Sequence, residues 1–207
     1  MNIHSTALAL GWGAVVVGLV AVLAQYRRAA RRGVEGISLA TWILFVYMGG
    51  FWIAYGTVSA HSWEVVLGSL VVLPFQVSIV IDLAPWRHGK VILQALAFFV
   101  ASCVVPTVIW GWPGGVYGTG LAMTVNRAPQ LVELIRQRDA TGVSANSWFL
   151  SVAGAMMWVA YYTGVHLWAP LIATLFAGVC NLAIALLATW RHAQSRASSV
   201  ASDIAVA

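Results

Sequence analysis

Along this chain, long apolar runs alternate with short breaks that carry nearly all of the charge. Seven runs reach or approach the ~20 residues a helix needs to cross a ~30 Å hydrocarbon layer. They are Thr6–Tyr26, Ile37–Val58, Val65–Ile81, Val91–Trp110, Val116–Ile135, Val143–Gly164 and Ala169–Trp190. The third is short, and Pro74 interrupts it. Short connections predict antiparallel neighbours. After Trp190 the pattern gives way to a small, polar tail that reads as disordered. The first run has no basic residue before it and a basic cluster after it, so it reads as a retained helix and not a cleaved leader.

The breaks divide into two kinds. Arg27, Arg28, Arg31 and Arg32 follow the first run, Arg87 and Lys90 the third, Arg136 and Arg138 the fifth, and Arg191 and Arg196 the seventh. The other connections, Ser59–Glu64, Gly111–Gly115 and Val165–Trp168, hold no Lys or Arg. The positive-inside rule then puts the N-terminus outside and the C-terminus in the cytoplasm. The expected location is the plasma (inner) membrane.

Composition agrees. The chain is 61% hydrophobic and 8% charged, against about 25% charged in soluble domains. Its formal charge of +5 marks topology, not nucleic-acid binding. Cys103 and Cys180 each lie inside an apolar run, which argues against a disulfide framework or a thiolate metal site. Lys90, the only lysine, sits at a basic border, so a retinal Schiff base deep in a helix is excluded. No HExxH, P-loop, GxSxG or Cys/His cluster is present, so no enzyme, metal or cofactor is expected.

The chain repeats internally. An offset of 106 residues sets Gly36 on Gly142, Ser38 on Ser144, Trp42 on Trp148, Trp52 on Trp158 and Tyr55 on Tyr161. After single-residue slips, an offset of 105 sets Gln25 on Gln130, Ser69 on Thr174 and Gln76 on Asn181. The copies cover helices 1–3 and 5–7. Helix 4 is left over and restores the orientation of the second copy, so the two units are parallel. Transporters built this way place the solute near the midplane between the halves.

The second copy resembles a PQ-loop repeat: Pro129-Gln130, a basic turn, Thr141-Gly142-Val143-Ser144, then Trp148. The first resembles it with Ala24-Gln25, Gly36-Ile37-Ser38 and Trp42. The resemblance, to the SWEET sugar transporters in particular, implies an all-α membrane protein of seven transmembrane helices in a 3+1+3 arrangement. The expected units are a degenerate repeat over 1–82, a linker helix over 83–112, an intact repeat over 113–190 and a tail over 191–207. It implies facilitated transport of a small polar solute, a sugar first, by alternating access. The rival readings are a PQ-loop-like membrane receptor or scaffold without transport and a proton-coupled amino-acid carrier. Expected partners are the solute and the lipid bilayer; a homo-oligomer stays open.

Candidate transport residues follow. Pro129 removes a backbone donor and should kink helix 5 near Val125–Arg127. The kink is either a hinge, with Gln130 satisfying freed backbone groups, or a static bend. Gln25 stands in the equivalent place without a proline. Trp52 and Trp158 should face a shared axis and could sandwich a sugar face; the resemblance gives the matching Trp a role in the sugar site. The alternative is an interfacial belt, which suits Trp63, Trp86, Trp110, Trp112, Trp168 and Trp190. Ser69 with Gln76, and Thr174 with Asn181, are polar pairs about two helical turns apart. They either recognise solute hydroxyls or bond between helices. The family places an asparagine near Ser69 and Thr174, whereas Asn181 sits two turns deeper. Arg127 lies inside helix 5, up to ~13 Å from Arg136. It could hold an anionic solute, pair with Glu133 near the inner gate, or snorkel to the headgroups. Its alignment with Val22, close to the Arg27 cluster, favours snorkelling or the ion pair. The acidic residues Glu64, Asp82, Glu133 and Asp139 lie near helix ends, and His61 and His166 in outer connections, which favours passive transport.

Overall fold

The computed structural model describes residues 3–136 and 140–206. Arg138 and Asp139 of the second basic turn lie outside these residues. Among the described residues the chain is all helical, without strands. Helix α1 spans Ile3–Arg32 and α2 spans Leu39–Tyr55, prolonged by a π-helical turn over Gly56–Ala60. Then come α3 (Trp63–Leu70), α4 (Leu73–Asp82) and a 3₁₀ turn (Pro85–Arg87). Helix α5 (Gly89–Phe99) passes through a π-helical stretch, Val100–Val104, into α6 (Val105–Val125). The last three are α7 (Ala128–Arg136), α8 (Ala145–Gly164) and α9 (Trp168–Val206).

The breaks sit where the sequence chemistry puts them. Pro74 falls in the first turn of α4, where its missing N–H costs least, and divides the third apolar run in two. Gly111 takes φ 69°, ψ −169° inside α6, a conformation closed to residues with a Cβ, and turns the chain just before Pro113. Asn126 and Arg127 form the turn between α6 and α7, at the kink expected from Pro129. Ser38 and Ser144 cap α2 and α8, their hydroxyls accepting from Thr41 N and Ser147 N. His61 and His166, equivalent in the repeat, both adopt left-handed backbone (φ 47° and 58°) in their turns.

Among the described residues five helical stretches are long and apolar enough to cross a membrane, among them Ser5–Arg32, Leu39–Ala60 and Gly89–Arg136. Large apolar side chains stand outward, Val108 at 80% exposure and Leu93 at 67%. Such a surface is compatible with a multi-pass membrane protein and foreign to a water-soluble monomer. Of the expected belt, Trp63, Trp86, Trp110, Trp168 and Trp190 are exposed. Trp112 instead packs on the rings of Phe51 and Tyr55.

Packing follows one scheme twice. Helices α3 and α4 pack against both α1 and α2, and α9 packs against both α6 and α8. Helix α1 also lies along α8, while α5 covers α2. The expected disordered tail is a correction: α9 continues unbroken to Val206. From Arg191 to Val206 the sequence has no Gly or Pro and is rich in alanine, so nothing in it stops the helix.

Candidate functional site

The repeat becomes visible where the two halves meet. Gln25, 1% exposed on α1, donates Nε2–H to Gly142 O (2.8 Å) and accepts from Ser144 N (2.8 Å). Gln130, 1% exposed on α7, donates Nε2–H to Gly36 O (2.6 Å) and accepts from Ser38 N (2.9 Å). Each amide therefore clasps the Gly-x-Ser turn of the other copy. The turns themselves touch, with Gly142 N donating to Glu35 O at 3.0 Å. Gly142 has no room for a side chain: a Cβ there would stand 2.5 Å from Gly33 O. Arg28 adds a bond from Nε to Thr141 O (2.7 Å). The reading of Gln130 as a partner for backbone freed by Pro129 is corrected. Its amide serves the opposite turn, because the start of α7 aims it at α2.

Above this brace lies a cavity of about 260 Å³. Trp52, Trp158, Ser69, Thr174, Gln76 and Asn181 all line it. Equivalent positions of the two copies line it together: Trp42 with Trp148, Trp52 with Trp158, Gln76 with Asn181. The tryptophans are fixed alike. Trp52 meets Tyr55 edge-on (5.6 Å, 79°), and Trp158 meets Tyr161 edge-on (5.5 Å, 82°). Thr174 turns its hydroxyl back to Pro170 O (2.7 Å), so its donor stays within α9. The opposite end carries a slighter contact between copies, Ser62 Oγ with Tyr161 OH at 3.2 Å.

Arg127 overturns its expectation. It does not snorkel: it is 8% exposed and lines the cavity. Its Nε donates to Asn181 Oδ1 (2.5 Å), and its Nη1 to Asn126 Oδ1 (2.9 Å) and to Met123 O. Its guanidinium also lies 5.4 Å from the ring centre of Phe45. The physical reason is the break at Asn126–Arg127. A continuous helix 5 would carry Arg127 past the gap, whereas the turn delivers it to the cavity wall. Asn181 Nδ2 in turn reaches Ser151 O (3.4 Å). Pro129 and Glu133 sit on α7 outside the lining.

Sequence reasoning missed Asn126, Phe45 and Ser151, all of which line the cavity. The repeat contained the signal. Asn126 aligns with Ala21, Arg127 with Val22 and Ser151 with Phe45, so the second copy is polar where the first is apolar. Among the described residues three buried side-chain polar atoms have no partner, and two, Gln76 Oε1 and Asn126 Nδ2, belong to cavity-lining residues. Among the described residues no Asp, Glu or His lines the cavity. Among the described residues no cluster of His, Cys, Asp or Glu could hold a metal ion. Comparison with protein-family models, curated proteins and solved structures finds no match to this chain.

Proposed function

We propose that the chain is a seven-helix transporter of PQ-loop type. In this reading helices 1–3 and 5–7 form two parallel units joined by helix 4, the basic turns face the cytoplasm, and the N-terminus lies outside. The units rock about the cavity and let a small polar solute pass. A sugar is the class that the resemblance to the SWEET family implies. The supporting observation is the reciprocal Gln25–Gln130 brace below a shared cavity. A polar clasp between two helical units is a reversible closure: it is made of hydrogen bonds that water can replace, each worth about 1 kcal/mol net. Dry apolar packing would make a permanent seam instead. The brace is thus read as the cytoplasmic gate, here closed.

The amino-acid carrier reading would require a titratable group at the solute. None among the lining residues has an acidic or imidazole side chain, which favours passive transport. The test is purified full-length protein in liposomes, challenged with neutral sugars, sugar acids and amino acids. Uptake of one class that equilibrates without a pH gradient and fails in Trp158→Ala is expected. No flux of any class would refute transport and leave the receptor or scaffold reading. Strict dependence on a proton gradient would favour the carrier.

A further inference from the structure

We infer that the solute is an anion, a small polyhydroxy carboxylate of sugar-acid type, with its carboxylate held by Arg127 and Asn126 and a hydroxyl by Gln76. This rests on the transport reading above and narrows it.

The first ground is the state of Arg127. A guanidinium has five N–H donors and no acceptor. In this cavity its acceptors are neutral: Asn181 Oδ1, Asn126 Oδ1 and the carbonyl of Met123. Phe45 offers a ring face but no charge. Among the described residues no carboxylate lines the cavity. A cation inside a membrane is costly, and it is retained where something pairs with it. The missing partner is an anion, and the cavity is the place for it.

The second ground is independent. Asn126, 1% exposed, keeps Nδ2 buried without an acceptor beside the guanidinium. A carboxylate accepts only, and takes two donors side by side. Gln76 Oε1 is a buried acceptor without a donor on another wall. A carboxylate cannot satisfy it, but a hydroxyl can. The two orphan atoms together describe one molecule with an anionic end and a hydroxyl. Among the described residues Arg127 is the only basic one in the lining, which suits one negative charge and not a phosphate dianion. The cavity, about 260 Å³, admits a solute of roughly hexose size.

The third ground is asymmetry. A neutral sugar could bind two equivalent walls alike. Here the wall of the second copy presents Asn126, Arg127 and Ser151, while the first presents Ala21, Val22 and Phe45. The anionic end therefore lies toward α6 and α9.

Glucuronate and glucose share one ring and differ in a carboxylate for a hydroxymethyl group, so they isolate the claim. Full-length protein in liposomes should take up labelled glucuronate at least about tenfold faster than glucose, the value of one charge-assisted hydrogen bond. Arg127→Gln should lower that ratio by about tenfold, with Arg127→Lys in between. The melting temperature of each purified variant reports that it is folded. Should Arg127→Gln fail to fold, the ratio of glucuronate to glucose affinity in the unaltered protein, read from tryptophan emission, decides instead. Glucose moving as fast as glucuronate would overturn the inference and leave the transport reading intact. A glucuronate preference that Arg127→Gln does not change would also overturn it. If neither moves, and no other solute does, the transport reading falls and this inference with it.

Discussion

The brace makes a quantitative claim. Gln130→Met keeps nearly the same volume and chain length but removes both bonds, to Gly36 O and from Ser38 N. At about 1 kcal/mol net per hydrogen bond, the closed form loses about 2 kcal/mol. The open form loses nothing, because water reaches both backbone groups there. The ratio of open to closed should therefore rise about 30-fold. The figure is a lower bound where the stranded Ser38 N–H stays dry in the closed form.

A thiol at Ser151 reads the opening. Ser151 lines the cavity on α8, seven residues above the Ser144 cap, about 10 Å from the turn. In protein lacking Cys103 and Cys180, Ser151→Cys should react with a membrane-impermeant reagent added on the side of the Gly36 and Gly142 turns. Its rate should rise about 30-fold in Gln130→Met and by a similar factor in Gln25→Met, since labelling follows the open fraction. Reagent on the opposite side should react no faster, which separates gating from unfolding. The double variant tests whether the two amides act as one latch. The turns touch through Gly142 N and Glu35 O, so the combined effect should fall short of the product. An unchanged rate in Gln130→Met would refute the gate.

Four further outcomes are expected. Gly142→Ala forces a Cβ to 2.5 Å from Gly33 O and 2.9 Å from Glu35 N, backbone that cannot rotate away; it should raise the same labelling rate. Gly50→Ala, with open space around it, should raise the melting temperature by the helix-propensity gain of about 1 kcal/mol and leave labelling unchanged. Gly68→Ala meets the Trp158 ring at 3.0 Å, so the ring must shift; uptake should fall several-fold while thermal stability holds. His192, beyond the expected last span, contacts Ala140 O and Arg28. Burial, then the charges of Arg28, Arg196 and Arg32, hold its pKa below the usual 6.5, against the raising effect of its Ala140 bond. Above that pH neither folded nor unfolded chain carries the proton. As pH falls through it the unfolded chain gains the proton first, so stability is lost. The melting temperature should drop between pH 7 and pH 5.5, and less so in His192→Gln.

What the sequence made legible was whatever depends on local chemistry or on repetition. Apolar runs and prolines marked the all-helical class and the breaks at Pro74 and near Pro129, because hydrogen bonding and burial act there along one segment. The Trp–Tyr pairs could be matched by offset alone, and they adopt the same edge-on contact in both copies. Direction was harder. Gln130 lies two residues into α7, and whether its amide turns back to its own helix or across to Gly36 depends on where α2 stands, a long-range fact. Arg127 shows the same limit more sharply. Taken for depth, its alignment with Val22 places it near the headgroups, and a uniform helical phase would let it climb there. The turn at Asn126–Arg127 resets that phase, and the guanidinium meets Asn181 instead. Taken for chemistry, the same alignment marks the one wall where apolar residues of the first copy give way to a cation and two polar neighbours in the second. A protein that needed only two matched halves to rock would keep both walls alike. The substitution of Arg127 for a valine carries a desolvation cost that symmetry of motion does not require, and the proposed anionic solute would offset it.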